Sequence, residues 1–278
     1  MIANVGAQLG LAYAFVEREI ALSKRYWAWE LVWVVYGVVT SLSVAYIGLA
    51  APAITGGASD PAAVSRFVLY LLVGTITWRF LGLIFEQMGE TIAWERWEGT
   101  IEYTFMAPVP RLVHLLGMCG ATLVRALAFS VITLAAVALF VPVDLSRANA
   151  LSALVLLATG AVAFIGLAIA SAVLPLLWTE KGLQMAYIGQ AVVLLVSGVY
   201  YPVSVLPGWM QALAVVSPAT YVIQGMRDAL LDGAGVVAVW PSLWPALLIG
   251  AVSIPLGLRA FLWAEAFAKR TGRLKRSG

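Results

Sequence analysis

The sequence predicts an all-α membrane protein with six transmembrane helices. Of its 278 residues, 62% are hydrophobic and only 11% are charged, and the mean hydropathy is +0.94. A soluble domain carries about 25% charged residues, so this chain has too few charges to cover a globular surface. Its apolar residues also come in runs of about 20 or more, enough for a helix to cross a hydrocarbon core of about 30 Å.

The predicted spans are distributed along the chain with short polar interruptions between them. In chain order they cover residues 31–51, 67–87, 113–140, 151–177, 183–200 and 243–264. No separate soluble domain is visible, so residues 1–278 are predicted to form one transmembrane domain. The first apolar run starts about thirty residues in and is too long for a cleavable signal peptide. A basic tail covers residues 265–278.

Arginine and lysine lie mostly on one side of these spans. With the N-terminus inside, eleven lie in inner segments, namely Arg18, Lys24, Arg25, Arg96, Arg111, Lys181, Lys269, Arg270, Arg273, Lys275 and Arg276. The outer segments hold three, Arg66, Arg147 and Arg227. Such an excess marks cytoplasmic loops, so both termini are expected in the cytoplasm. The alanine- and valine-rich composition favours a prokaryotic source, and hence the inner (plasma) membrane.

Residues 1–30 are expected to form an amphipathic helix at the membrane interface. Its apolar residues at helical spacing are Leu9, Tyr13, Val16 and Ile20. Four charged residues fall together on another side of the helix, namely Glu17, Arg18, Lys24 and Arg25. Trp27 and Trp29 follow at the level of the headgroups, where aromatic residues concentrate. The alternative is an ordinary cytosolic cap.

The reactive side chains exclude most catalytic and metal chemistry. The single histidine, His114, and the single cysteine, Cys119, cannot build a multi-histidine or cysteine-based metal site. We expect His114 to be solvated or to face headgroups, and Cys119 to be a small apolar packing residue. A phosphate-binding loop needs Gly-x4-Gly-Lys-Ser/Thr, and none of the four lysines follows a glycine. No metal, cofactor or nucleic acid is expected on this chain.

Residues 94–111, WERWEGTIEYTFMAPVPR, concentrate charge between the second and third spans, on the inner side. They belong to a polar segment, residues 90–111, whose part up to 107 is predicted as one short helix ended by the prolines. Its glutamates recur at helical spacing as one acidic stripe, Glu95, Glu98 and Glu102. The apolar side chains expected to face the membrane are Trp94, Ile101 and Phe105. The alternative is a plain interfacial loop helix.

Residues 201–240 are too apolar for a solvated loop, yet prolines break them into pieces too short to span a membrane. We expect short re-entrant helices in the outer leaflet, which are tolerated where protein or a water-filled cavity satisfies the backbone. Arg227, Asp228 and Asp232 are expected at the outer surface. The segment is interpreted as a gate over the exit of a translocation path, and the alternative is a merely structural lid.

Both segments resemble the type-two ABC exporter permeases. The inner one has Glu98-Gly99-Thr100-x-Glu102, then Pro108-Val109 and a basic residue. The outer one has the matches Tyr201-Pro202, Leu206-Pro207-Gly208-Trp209, Ser217-Pro218-Ala219-Thr220-Tyr221 and Arg227. The resemblance covers nearly the whole chain, and the order and spacing of the motifs carry it more than any single one.

This resemblance implies a permease subunit that works with a separate ABC ATPase. Two copies of each are expected, with ATP and Mg on the ATPase and membrane lipids around the permease. The implied coupling residues are Glu95, Glu98, Gly99, Thr100, Glu102 and Pro108. The implied exit gate is Tyr200, Tyr201, Pro202, Pro207, Trp209, Pro218, Tyr221 and Arg227. Whether the permease pairs with itself or with a similar second permease stays open.

The resemblance also implies outward transport of an amphiphile, either a drug-like molecule or a lipid. A lipid-linked glycan or polysaccharide is the alternative substrate. Two rival classes are an integral membrane lipid-modifying enzyme and a non-transport scaffold or sensor. The enzyme would need carboxylates, histidines or cysteines clustered at one membrane face, and the acidic cluster of residues 94–102 is the only one in the sequence.

Two arginines fall well inside predicted spans. Arg79 lies in the second span and Arg125 in the third, and a charge at such depth usually marks function or an ion pair. One hypothesis places both along a substrate path, where they attract an anionic substrate or headgroup. The other has both reach back to phosphates at the inner surface.

Overall fold

A computed structural model describes residues 5–55, 60–107 and 109–272 of the chain. The described residues form helices and connections without a β-strand, which confirms the predicted all-α class. The helices are α1 (Val5–Arg25), α2 (Trp27–Thr55), α3 (Pro61–Glu98), α4 (Ile101–Met106), α5 (Arg111–Ala138), α6 (Ala150–Ser171), α7 (Val173–Leu177), α8 (Gly182–Val196), α9 (Gly208–Val216), α10 (Pro218–Leu231) and α11 (Trp240–Arg270), with a 3-10 turn at Val203–Val205.

Five segments of the described chain are long and apolar enough to cross a membrane, against the six predicted. They are α2, α3, α5, the α6–α7 pair and α11. The missing one is the span predicted at 183–200, where α8 has 15 residues and a crossing needs about 20. The chain leaves the helix at Ser197 because Gly198 adopts a positive φ of 68°, a conformation that glycine adopts without strain.

Helix α3 lies at the centre of the molecule and is its most buried long helix. It packs against α2, α5, α6, α8 and α10. Its start is capped by Asp60, whose side chain accepts a hydrogen bond from the amide of Ala62, and a proline follows at the first helical position. Because of its central place, α3 contacts most of the other helices.

Small residues let α6 and α11 approach closely. A Cβ atom on Gly257 would lie 2.5 Å from the carbonyl oxygen of Gly166, and a Cβ atom on Gly166 would overlap Ser253. Membrane helices commonly associate through such small residues, because lipid supplies no hydrophobic drive between them. Phe164 and Phe261 fill the adjoining core and are fully buried.

Helix α1 packs along the first half of α5 and leads into α2 with only Tyr26 between them. Phe15 and Ala12 lie against Gly117, where a Cβ atom would meet both within 3.0 Å. Tyr13 and Ile20, predicted for the membrane side, are exposed. The side chain of Leu9 lies outside the described residues.

Residues 90–107 do not form the single short helix that was predicted there. Helix α3 continues without interruption to Glu98 and then stops at Gly99, which has φ 78°. A separate helix, α4, follows from Ile101 to Met106. Gly99 is the physical reason for the break, since its left-handed conformation ends a helix and turns the chain before α4 begins.

Candidate functional site

The first candidate region is the turn where α3 meets α4, which we call the elbow (residues 94–107). The amide of Thr100 donates to the carbonyl of Glu95 at 2.9 Å and closes the turn. Ile101 and Phe105 are buried on the inner side of α4. The ring of Phe105 meets that of Phe261 edge to face, with centroids 6.2 Å apart. The elbow therefore rests on α11.

The outer side of the elbow combines exposed aromatic and acidic side chains. The exposed large residues are Trp94, Trp97, Tyr103 and Met106, and the exposed acids are Glu98 and Glu102. Trp94 and Trp97 form an edge-to-face pair with centroids 5.4 Å apart. Exposed apolar surface of this kind is typical of a protein or membrane interaction site. Ile101 and Phe105, which were expected to face the membrane, are instead buried against the protein, whereas Trp94 is exposed.

Glu95 does not belong to the acidic stripe predicted for it. Its side chain is only 4% exposed, and Oε1 lies 3.7 Å from Nη1 of Arg18 on α1. The reason is that α3 continues as one helix through this position, which turns Glu95 toward α1. The exposed acidic stripe consists of Glu98 and Glu102 alone. Pro108, predicted as a coupling residue, lies outside the described residues.

Two arginines, one buried (Arg96) and one partly buried (Arg111), connect the elbow to the rest of the protein. Nη1 of Arg96 donates to the carbonyls of Pro175 and Leu176 at the end of α7. Nη1 of Arg111 donates to the carbonyl of Thr104 at 3.1 Å, and its guanidinium also pairs with Glu265 of α11. Sequence reasoning missed these contacts. One feature of the sequence could have indicated the pair with Arg111: Glu265 is the only acidic residue after Asp232 in the chain.

The second candidate region is the hairpin between α8 and α10. Ser197 and Ser217, which flank the excursion, are hydrogen-bonded through their hydroxyls at 2.7 Å. Nη1 of Arg227 donates to the carbonyl of Gly198 at 3.0 Å, and Nη2 donates to that of Val199 at 2.7 Å. The carbonyls left unpaired after α8 are satisfied in this way.

Arg227 corrects a prediction, since it was expected at the outer surface. It is 5% exposed, and its guanidinium carbon lies 3.5 Å from the centroid of the Tyr70 ring on α3. The side chain turns inward because the carbonyls beyond α8 and the Tyr70 ring offer it partners there. Asp232 is exposed as expected and pairs with Arg66 at 2.6 Å.

The other residues predicted for the exit gate have different surroundings. The hydroxyl of Tyr201 donates to the carbonyl of Leu195 at 2.6 Å, and that of Tyr221 donates to the carbonyl of Val215 at 2.8 Å. Trp209 and Tyr200 are exposed. The prolines start the short helical pieces: Pro202 precedes the 3-10 turn, Pro207 precedes α9 and Pro218 is the first residue of α10.

The deep arginines both have partners that the sequence did not reveal. Nη1 of Arg125 lies 3.2 Å from Oε1 of Glu30, and Nη2 donates to Oε1 of Gln87 at 2.7 Å. The guanidinium carbon of Arg79 lies 5.7 Å from the ring centroid of Trp33. Glu30 is 95 positions from Arg125 and in a different helix, so spacing within one span could not identify it.

His114 is a further correction. It was expected to be solvated or to face headgroups, but it is 1% exposed and packs on Phe15 with ring centroids 4.8 Å apart. The cause is α1, which covers the start of α5. Within the described residues neither ring nitrogen of His114 has a hydrogen-bond partner. Cys119, one turn further, is buried as predicted.

The long apolar helices, with polar contacts at their ends and at one broken helix, define a multi-pass membrane protein. A family model described as ABC-2 type transporter matches residues 11–231. The chain therefore belongs to the ABC-2 type transporter family, which confirms the resemblance to type-two ABC permeases. A search of curated proteins found no match.

Proposed function

We propose that this chain is the membrane-spanning permease subunit of an ATP-driven exporter, powered by a separate ABC ATPase. The observation that carries the proposal is the elbow. Its inner side is buried on α11, and its outer side presents Glu98 and Glu102 beside exposed aromatic rings. A chain without a phosphate-binding loop needs a partner to hydrolyse ATP, and this surface has the composition of a docking site.

The contacts around the elbow support a role in transmitting force. Arg111 joins α4 to α11, and Arg96 joins the end of α3 to α7. A movement imposed on the elbow by an ATPase would therefore reach three membrane segments directly. Gly99 and Thr100 form the turn between α3 and α4, so they set the direction in which α4 is presented.

The hairpin contacts favour a sixth crossing made of two pieces. Tyr187 donates to Glu90, Gln190 donates to Glu86, and Val199 lies against Gly74. Residues 187–199 thus run beside the part of α3 between Gly74 and Glu90. That part of α3 is about 24 Å long at 1.5 Å per residue.

Helix α10 would complete this crossing. Val222 packs on Gly160 of α6, and the carbonyl of Ala229 accepts a hydrogen bond from Asn149 just before α6 begins. In this topology α9 is the re-entrant piece. The distribution of basic residues favours both termini on the cytoplasmic side, and we propose a prokaryotic plasma membrane as the location.

The junction of α8 and α10 is our candidate for the exit gate. Ser197, Ser217 and Arg227 form a compact polar group in an otherwise apolar environment. Irregular backbone at membrane depth is typical of transport pathways. We propose an amphiphilic drug-like molecule or a lipid as substrate, which leaves toward the outside through a path formed with a second permease copy.

The proposal is tested on the assembled complex. The double variant Glu98→Lys/Glu102→Lys is expected to weaken co-purification with the ABC ATPase about tenfold or more, since a charge complement at the interface is reversed. Glu17→Lys, an exposed acid on α1 outside the elbow, is the matched control. Retention of the ATPase by the double variant at the control level would refute docking at the elbow. A transport assay in vesicles then identifies the substrate, with a lipid-linked glycan as the competing candidate.

A further inference from the structure

We propose that the cavity between α1, α2 and α5 binds the headgroup of a zwitterionic phospholipid that carries a phosphate and a primary amine. The cavity has a volume of about 330 Å³, within the range of about 300–1,000 Å³ for small-molecule sites. It lies apart from both the elbow and the hairpin. Nothing in the proposal depends on the chain being an exporter.

The charges that line the cavity match a zwitterion. Lys24 and Arg125 supply two positive groups, and Glu19 and Glu30 supply two negative ones. With no net charge in its lining, the cavity offers little advantage to a purely anionic headgroup. A headgroup with a phosphate and an ammonium group can use all four side chains, with the phosphate on the bases and the ammonium on the acids.

Arg125 is held in place by two partners, which use two of its five N–H donors. Its Nη1 meets Glu30 at 3.2 Å and its Nη2 meets Gln87 at 2.7 Å, while Ser23 also donates to Glu30 at 3.0 Å. Among the described residues, Nε of Arg125 is buried and has no hydrogen-bond partner. The two Nη atoms each carry a second N–H group, and the side chain is 28% exposed, so a phosphate oxygen in the cavity can accept a hydrogen bond from them.

Lys24 and Glu19 are the other groups available to a ligand. Within the described ranges Lys24 forms no ion pair. Burial raises the pKa of Glu19; the positive charges of Arg18 and Arg125 oppose this shift, and the negative charge of Glu30 adds to it. An ammonium group placed beside Glu19 would favour its ionised form. One base and one acid are therefore open on the same cavity wall.

The rim of the cavity is apolar and faces outward. Ile20, Trp27 and Val124 line it and are exposed. Trp27 begins α2, and tryptophans at the end of a membrane helix mark the level of the headgroups. Charged side chains at that level beside apolar ones suit a lipid, whose acyl chains lie along the apolar rim while the headgroup reaches the charges.

The experiment measures lipid binding to the full-length chain purified in detergent. Phosphatidylethanolamine and phosphatidylglycerol with identical acyl chains are titrated separately, and bound lipid is counted by native mass spectrometry. The unmodified protein is expected to bind phosphatidylethanolamine the more tightly. Lys24→Gln should weaken that binding about fivefold, the contribution of about one lysine–headgroup interaction. Arg25→Gln is the matched control, because Arg25 is adjacent and exposed but does not line the cavity.

Three outcomes would overturn the proposal. Equal binding of the two lipids by the unmodified protein would mean that only surrounding lipid is detected. Unchanged binding by Lys24→Gln would remove the cavity as the site, and an equal loss in Arg25→Gln would indicate a general surface charge effect. Glu19→Gln is the second variant, and it should reduce the preference for phosphatidylethanolamine while leaving phosphatidylglycerol binding unchanged. It leaves the Arg125–Glu30 pair intact, so it is expected to fold.

Discussion

Arg111 and Glu265 form a two-bond ion pair between the start of α5 and the end of α11. Nε of Arg111 lies 2.9 Å from Oε2 of Glu265, and Nη2 lies 3.0 Å from Oε1. The two side chains are only 12% and 8% exposed. Since Arg111 also donates to the carbonyls of Thr104 and Phe105, this single pair fastens α4 to the last helix. Paired bonds of this kind are specific as well as strong.

Removing the acid of this pair is expected to destabilise the protein strongly. Glu265→Gln would leave the Arg111 guanidinium buried without a counter-charge, which costs about 3–5 kcal/mol. The measurement is thermal unfolding in detergent followed by tryptophan fluorescence. Glu102→Gln, an exposed acid of the elbow, serves as the control and should unfold as the unmodified protein does. Equal midpoints for the two variants would contradict the role given to the pair.

Arg227→Lys is expected to loosen the hairpin although it keeps the positive charge. A lysine ammonium cannot reproduce the fork that reaches the carbonyls of Gly198 and Val199 together. Loss of one charged hydrogen bond lowers stability by about 1.5–3 kcal/mol. Limited proteolysis within residues 200–217 should therefore become faster. Arg66→Lys alters an exposed pair with Asp232 and should have little effect; if it accelerates cleavage equally, the buried fork is not the determinant.

Gly74 and Gly189 provide a matched pair of glycine-to-alanine substitutions. A Cβ atom on Gly74 would overlap the carbonyl oxygen of Val199, so Gly74→Ala must displace the end of α8 or the fork of Arg227. In the described structure no atom lies within 4 Å of a Cβ atom on Gly189. Gly189→Ala should therefore be neutral or stabilise α8 by about 0.5–1 kcal/mol. Thermal unfolding distinguishes the two, and a neutral Gly74→Ala would show that Val199 does not lie against α3 as described.

Cys119 is expected to report unfolding without any engineered label. It is the only cysteine in the chain and is 1% exposed. A maleimide dye should react slowly with the folded protein and rapidly once the core around Cys119 opens. Phe261→Ala removes a fully buried side chain of the same core and should increase the labelling rate by loosening its packing. The control is Trp263→Ala, which changes an exposed residue of the same helix. Fast labelling of the unmodified protein would argue against the burial of Cys119.

Periodicity and composition were sufficient to predict the helical class and the approximate positions of five long helices. They did not predict the burial of side chains whose neighbours come from distant parts of the chain. Glu95, His114 and Arg227 were all assigned to polar surroundings because they are polar residues beside span ends. Each is covered by another segment, α1 in the first two cases and the end of α8 in the third.

Helix α8 is short for a local reason that the sequence indicates only weakly. Residues 183–200 are apolar throughout, so hydropathy alone predicts one uninterrupted span. The helix ends because Gly198 takes a positive φ and because Arg227 satisfies the carbonyls released there. A glycine within an apolar run has too many common uses to predict such an ending. The partner of Arg125 was hidden for a similar reason, since Glu30 lies in another helix.

Helix α3 has 38 residues, about 57 Å at 1.5 Å per residue, and so is nearly twice as long as a bilayer core of about 30 Å is thick. One end carries the tryptophans of the elbow, and near the other end Tyr70 supports Arg227. No proline interrupts it after its first residue. A rod of this kind shifts or tilts as a whole, so a push delivered at one membrane surface arrives at the opposite one without passing through a flexible joint.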